Sequence, residues 1–234
     1  MELLDPTKLW FHTPDSNTLC RAGGNGPNHP TQLYAIQKYV GVGMTLLDYG
    51  AGSATTYEAL KNSGIDVRTR ATMPTVISPE TQPVLGYRGL DIIPKNVEWC
   101  KQTFPAGDFV VNTKIHEIDE PDQSWDVVYS RHVVDHMRSF EDAMDEHKRV
   151  AKKLVIVILW TGLLNSDEHE IKNIVDHRGT PEEVTYTDEY TNNYSRKKVL
   201  EYLESDPAWK LLELTENVGS EVKGCDTVLV LERV

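Results

Sequence analysis

The octet Ser130-Arg131-His132-Val133-Val134-Asp135-His136-Met137 brings two imidazoles and a carboxyl close together in the chain. If this stretch opens a helix, His132, Asp135 and His136 are related as i, i+3 and i+4 and share one face. Two chemistries suit such a set. A histidine can act as general base, because a neutral imidazole near pH 7 is well matched to take a proton from a hydroxyl. Alternatively, a histidine-carboxylate-histidine set can hold a divalent metal. A structural role, in which Asp135 and His136 cap and brace the helix, fits the same spacing. Upstream, Asp48-Tyr49-Gly50-Ala51-Gly52 joins an acid to a glycine turn. Thr45 to Leu47 end a short apolar strand before it, and Thr55 to Leu60 start a helix after it. Ligands of open α/β sheets sit beyond the carboxyl ends of the strands, where a glycine turn lets them approach outward-pointing N–H groups. This loop is therefore expected to hold a small polar cofactor.

A dinucleotide fingerprint requires G-x-G-x-x-G, yet the sixth position from Gly50 is Thr55, and Asp48 sits where that pattern has no acid. Asp48-x-Gly50-x-Gly52 instead resembles the first motif of class I S-adenosylmethionine-dependent methyltransferases, with Ala54 in place of the third glycine. The resemblance implies that Asp48 organises the loop near the methionine amino group and that Gly50 and Gly52 let the backbone pass close to the cofactor. The segment from Tyr87 to Pro105 resembles the second motif of that family. It implies that Asp91 takes the ribose hydroxyls, with Ile92 beside it; a carboxylate is suited to a vicinal diol because charged acceptors make the stronger hydrogen bonds. After a third short strand, Phe109 to Val111, the family contacts adenine, often through an acid; here Asn112 and Thr113 occupy those positions. The octet itself resembles the family's fourth-strand motif, Ser-x-x-Val-Leu-Glu-His, which implies that Ser130 lies at the cofactor and that His132, Asp135 and His136 face the transferred methyl group.

The elements that must position these groups follow from pattern. Leu33, Ile36, Gln37 and Val40 have helical spacing, so Thr31 to Val40 is expected as a helix. Strands are expected over 86–91, 109–111 and 125–129, and the β-branched run Leu154 to Leu159 reads as a buried central strand. Phe140 to Val150 reads as a helix, with Ala151-Lys152-Lys153 as a short connection to that strand. Ser195 should cap a helix reaching Leu203, followed by alternating strands over 209–214 and 227–231. The resemblance implies a Rossmann-like three-layer α/β/α sandwich with a seven-stranded, mostly parallel sheet and an antiparallel C-terminal strand pair.

One domain is expected over residues 1–234, with three segments set apart. Residues 1–30, rich in proline and glycine and carrying Arg21, Asn25, Asn28 and His29, read as an arm or lid. Residues 64–85 look inserted, since Asp48 and Asp91 stand about twice as far apart as the roughly 20 residues of a minimal strand-helix-strand unit. Residues 160–194 are polar and aromatic and are expected to cover the substrate, with His169, His177, Tyr186 and Tyr194 as pocket candidates.

The net charge of −12 and a pI near 5.1 give no broad electrostatic footprint for a nucleic acid backbone. Cys20, Cys100 and Cys225 are odd in number and widely spaced, so reduced thiols in a cytosol-like, cytoplasmic setting are expected. No membrane partner is expected, because the run at Leu154 to Trp160 is too short to cross a bilayer. The reading is thus an S-adenosyl-L-methionine-dependent methyltransferase acting on a hydroxyl of a small molecule such as a sugar. A divalent metal is left open, and oligomeric state is undetermined. A nicotinamide oxidoreductase of Rossmann type and an inactive cofactor-binding partner subunit are the alternatives.

Overall fold

The computed structural model describes Pro27, His29 and residues 31–74, 84–114, 116–137, 139–171, 173–176, 185–190, 192–218 and 226–234. Most of the 1–30 arm, with Arg21, Asn25 and Asn28, lies outside them, as do the middle of the 64–85 insertion, His177 and the side chain of Tyr186.

In chain order the elements are α1 (Tyr34–Tyr39), β1 (Thr45–Tyr49), α2 (Thr55–Asn62), β2 (Asp66–Arg68), β3 (Val84–Asp91), α3 (Pro94–Thr103), β4 (Phe109–Val111), β5 (Trp125–Arg131), α4 (Phe140–Val150), β6 (Ala151–Leu159), β7 (Asn173–Asp176), β8 (Thr185–Tyr190), α5 (Arg196–Ser205), β9 (Trp209–Val218) and β10 (Asp226–Arg233). The main sheet has eight strands, in the order β2-β3-β1-β5-β6-β10-β9, with β4 also paired to β3. Strand pairs are parallel except for β10, which runs antiparallel to both β6 and β9. The strand beyond the expected seven is β2, which comes from the inserted segment and pairs with the start of β3, while β4 pairs with its end.

Two buried layers clothe the sheet. Ala35 and Ile36 of α1, Tyr57 and Leu60 of α2, and Val97 and Cys100 of α3 pack with Leu46, Tyr87, Val127, Ile156 and Val228 on one face. Phe140, Ala143 and Met144 of α4 and Val199 and Leu203 of α5 pack with Leu47, Val128, Val155, Val157 and Leu229 on the other. Alternate residues of one strand enter opposite layers, as a period of two requires. Covered on both sides, β6 needs the unbroken apolar run that its sequence carries. That strand begins at Ala151, directly after α4, so Ala151-Lys152-Lys153 is part of the strand rather than a connection. Ser139 and Ser195 cap their helices, accepting from the backbone N–H of Asp142 and Lys198. Such caps contribute roughly 1 kcal/mol each.

The one expected element that does not form is the helix at Ser130 to Met137. Strand β5 continues through Arg131, His132 has a left-handed φ of 55°, and only Val134–His136 coil into a single 3-10 turn. Pairing decides this: Ser130 and Arg131 lie opposite Val157 and Ile158, and the His132 N–H bonds the Ile158 carbonyl at 2.8 Å. Sheet hydrogen bonds thus claim residues that local pattern assigned to a helix. Among the described residues no helix is long and apolar enough to cross a membrane.

Candidate active site

The loop between β1 and α2 is built by conformations that few residues adopt. Gly50 has φ 79°, Gly52 φ 52° and Ala54 φ 56°, and the N–H groups of Gly50 and Ala51 both bond the Leu90 carbonyl at 2.8 Å. A Cβ on Gly50 would fall 2.2 Å from Cγ2 of Val133, so the absence of a side chain lets the loop rest against the turn that follows β5. Asp48 is 2% exposed and points into the layer beneath α2, where the Tyr87 hydroxyl donates to it at 2.6 Å and Thr56 bonds it as well. Burial pushes its carboxyl up to about 6 against the pull of those hydroxyls. It braces the glycine loop from below.

Asp91 ends β3 beside that loop. Its Oδ2 accepts from Gly52 N–H at 2.8 Å, and its Oδ1 accepts from Ile93 N–H at 2.8 Å and Asn96 Nδ2 at 3.3 Å. Burial raises its pKa, while these three donors favour the charged form. A carboxylate offers about four lone-pair directions. One remains open, and the bond from Asn96 is the longest of the three. Ile92 is half-buried next to it. Across the strand tips, Asn112 spends its amide on its own loop: Nδ2 donates to the carbonyls of Lys114 and Glu117, and Oδ1 accepts from Asp119 N–H at 2.8 Å. Thr113 is exposed, and both its N–H and its hydroxyl donate to Asp119. The sequence has no acid directly after β4, and the fold brings Asp119 back to Asn112 and Thr113.

Ser130, expected at the cofactor, instead turns its side chain into the α4 layer. It is fully buried, with Oγ 2.9 Å from Nε2 of His147, whose Nδ1 lies 2.6 Å from the Ala143 carbonyl. Since a carbonyl only accepts, Nδ1 carries the proton and Nε2 accepts from Ser130. Burial pushes His147 down to about 4, so the pair is a neutral structural bond. The cause is strand alternation: extending β5 by two residues sends Ser130 to one face and Arg131 to the other.

Arg131 joins a buried chain of polar groups on that other face. Its Nη1 donates to Gln32 Oε1 at 2.9 Å, and Gln32 Nε2 donates at 2.5 Å to Thr56, the partner of Asp48. Its Nε lies 4.0 Å from Asp226 Oδ2. The other oxygen of Asp226 meets His132 Nε2 at 3.1 Å. Local sequence pattern does not mark Gln32, Arg131 or Asp226 as site residues. A usable signal existed for the last: an acid that opens a strand antiparallel to the rest starts at the same end of the sheet where the parallel strands finish.

His132 and His136 do not share a helical face, but both meet Trp160. The His132 ring stacks on it with centroids 5.5 Å apart, and the His136 ring approaches edge-on at 6.4 Å. Asp135 lies beneath, 2% exposed, its Oδ2 accepting from Trp160 N–H at 3.1 Å. Its Oδ1 is buried with no hydrogen-bond partner, and burial lifts the carboxyl to about 7. Burial also lowers His132, although Asp226 favours its charged form. The three do not assemble as ligands, and among the described residues no cluster of three or more histidine, cysteine or acidic side chains suits a metal.

The segment after β6 docks on this turn. Asn192 N–H donates to the Asp135 carbonyl at 2.9 Å, Asn192 Nδ2 to the Met137 carbonyl at 2.6 Å, and the buried Tyr194 hydroxyl to the Val134 carbonyl at 2.6 Å. His169 is a strut, accepting from Ser195 N–H at 2.9 Å through Nδ1 and reaching Glu141 at 3.3 Å through Nε2. Tyr194 and His169 therefore hold the segment in place.

A parallel sheet with helices on both faces, a glycine loop after β1, an acid ending β3 and an antiparallel pair at the C-terminal edge defines a Rossmann-like α/β/α fold. A family profile described as "Methyltransferase domain" matches residues 78–159. No curated protein matches the sequence significantly. Among solved structures, a SAM-dependent methyltransferase from Aquifex aeolicus is similar in fold, with a TM-score of 0.54, 18% identity, and 99% of this chain and 100% of that one covered. Magnesium protoporphyrin IX methyltransferase from Synechocystis, with bound SAH, has a TM-score of 0.56 and 10% identity, covering 95% and 88%. A Haloferax volcanii complex between a methyltransferase activator and a methyltransferase gives 0.60 and 14%, with 99% of each chain covered. The family profile spans 82 of the 234 residues, and the fold is the one found in class I S-adenosylmethionine-dependent methyltransferases. These likenesses give the nicotinamide reading no support.

Proposed function

We propose that this chain is an S-adenosylmethionine-dependent methyltransferase acting on a hydroxyl of a small polyhydroxylated acceptor such as a sugar, with His132 as the base. One observation carries the reading: Val133, the residue after His132, packs directly on Gly50, so the turn that carries His132 rests on the glycine loop at the tip of β5. His132 is held there in a left-handed conformation that costs a non-glycine residue roughly 1–3 kcal/mol, a kind of strain that gathers at functional positions.

The cofactor fits the residues present. The side-chain-free cradle at Gly50 and Gly52 and the open lone pair of Asp91 are suited to a nucleoside with a vicinal diol; Asp48 supports the loop from below, Ile92 flanks the ribose acid, and Asp119 with the Thr113 backbone faces the base. Asn112 shapes that loop. When bound, the cofactor supplies a methyl group already activated on a sulfonium. What the chain must add is alignment and a place for the hydroxyl proton. The imidazole of His132 would take the proton that the acceptor hydroxyl gives up. Trp160, 42% exposed beside that ring, offers an aromatic surface for the apolar face of a sugar, and the described residues that follow it, 161–171, are the part of the expected covering segment that we propose borders the acceptor.

His132→Ala should lower turnover about 10² to 10⁴-fold, the size of losing a positioned base, with S-adenosylhomocysteine affinity by calorimetry unchanged. Near-normal turnover on a panel of polyols would remove His132 from the role and pass it to His136.

A further inference from the structure

Asp226 opens the last strand of the sheet, remote in sequence from every motif at the strand tips, and it is 2% exposed. Its Oδ1 lies 3.1 Å from His132 Nε2. Its Oδ2 accepts from the Thr31 hydroxyl and has Arg131 Nε at 4.0 Å and His29 Nδ1 at 3.9 Å. Around His132, whose side chain is 11% exposed, the facing groups are therefore Asp226 from β10, Arg131 from β5, His29 edge-on with centroids 6.4 Å apart, and the stacked Trp160, behind which stand Asp135 and His136.

We infer that Asp226 is the positioning residue for His132: it accepts the Nε2 proton, holds the neutral imidazole as the Nε2–H tautomer, and leaves Nδ1 as the nitrogen that receives the acceptor's proton. This rests on the base role proposed above. An ionised carboxylate can only accept, so the nitrogen it meets must carry the hydrogen. A neutral imidazole free of such a partner divides itself between two tautomers, only one of which presents a lone pair on a given side. Asp226 is kept ionised: although burial opposes its charge, His132, Thr31 and Arg131 together hold it below the usual carboxylate range. Once the proton arrives at Nδ1, the imidazolium faces that carboxylate, which offsets the burial that otherwise disfavours a charged His132. Arg131 and Thr31 fix the carboxylate in turn. The antiparallel C-terminal strand thus contributes to the site, and does so only because its reversed direction starts it at the strand tips.

Nitrogen-15 NMR of the imidazole in the folded wild-type chain at pH 8 reads the tautomer without any turnover. The Nε2–H form is expected, and the Nδ1–H form would overturn the inference. Asp226→Asn should lower turnover by about 10² to 10⁴-fold, as for a base held in the wrong tautomer. It should also move the acidic limb of the pH–rate profile down by about one unit or more, because the imidazolium loses its counter-charge. Asp226→Glu should restore part of the rate, with thermal unfolding and S-adenosylhomocysteine binding as controls. If His132→Ala abolishes turnover while Asp226→Asn leaves rate and acidic limb in place, the base stands and Asp226 is not its positioning residue. If His132→Ala is active, the base reading fails, and the tautomer still decides whether Asp226 governs the ring. Should Asp226→Asn not fold, the wild-type spectrum decides alone.

Discussion

Replacing Gly50 with alanine tests the contact that ties the glycine loop to the turn carrying the proposed base. Two costs add. At φ 79° an L-residue pays the left-handed penalty, roughly 1–2 kcal/mol. The new methyl would also lie 2.2 Å from Cγ2 of Val133 and 3.3 Å from its Cβ and Cγ1, so Val133 or the loop must move; overpacking of this kind costs about 1–3 kcal/mol. The expected loss is therefore about 2–5 kcal/mol, a large share of the roughly 5–15 kcal/mol that stabilises a typical domain. Urea unfolding followed by circular dichroism measures it. A second variant separates the two costs: Val133→Ala removes the colliding methyls, so the double variant should recover about 1–3 kcal/mol relative to additivity and retain the backbone penalty. Because His132 adjoins Val133, the single Gly50→Ala variant should also lose turnover beyond its loss of cofactor affinity. A Gly50→Ala protein within about 0.5 kcal/mol of wild type, or a double variant with strictly additive losses, would refute the packing argument.

Asp91→Ala should weaken S-adenosylhomocysteine binding about tenfold or more, since each charged hydrogen bond to a ribose hydroxyl is worth roughly 1.5–3 kcal/mol; undiminished affinity by calorimetry would remove Asp91 from the site. Asp135 should make stability fall as pH rises. Its folded pKa of about 7 exceeds the ordinary carboxyl value of 3.8, so between those values the folded chain binds more protons than the unfolded one, and the contribution present below about 4 is lost by about 7. The loss is on the order of 3–5 kcal/mol. Asp135→Asn, neutral throughout, should flatten that slope, and urea midpoints that fall equally for both proteins between pH 5 and 8 would count against it.

Much of this molecule is legible in its sequence because the relevant forces are local. The apolar run of β6, the period of α4 and the serine cap at Ser195 depend on neighbours within a turn or a strand, so those elements appear where pattern places them. The glycine turn at Gly50 and Gly52 is legible for the same reason: a left-handed backbone leaves its mark in residue type. The site is another matter. Whether Ser130 meets a cofactor or a buried histidine is settled by two more residues of β5 pairing with β6, a register in which the partner strand, not the local sequence, decides the face. Asp119 reaches the tip of β4 only when its loop closes on Thr113. His132, Asp135 and His136 have helical spacing, yet sheet hydrogen bonding unwinds their helix, and they meet instead around Trp160, the residue after the next strand. Asp226, a carboxylate bonded to His132, comes from the far end of the chain through an antiparallel strand. Spacing along a sequence records contacts within one element; contacts among the tips of four strands depend on register and direction, which only the assembled sheet supplies.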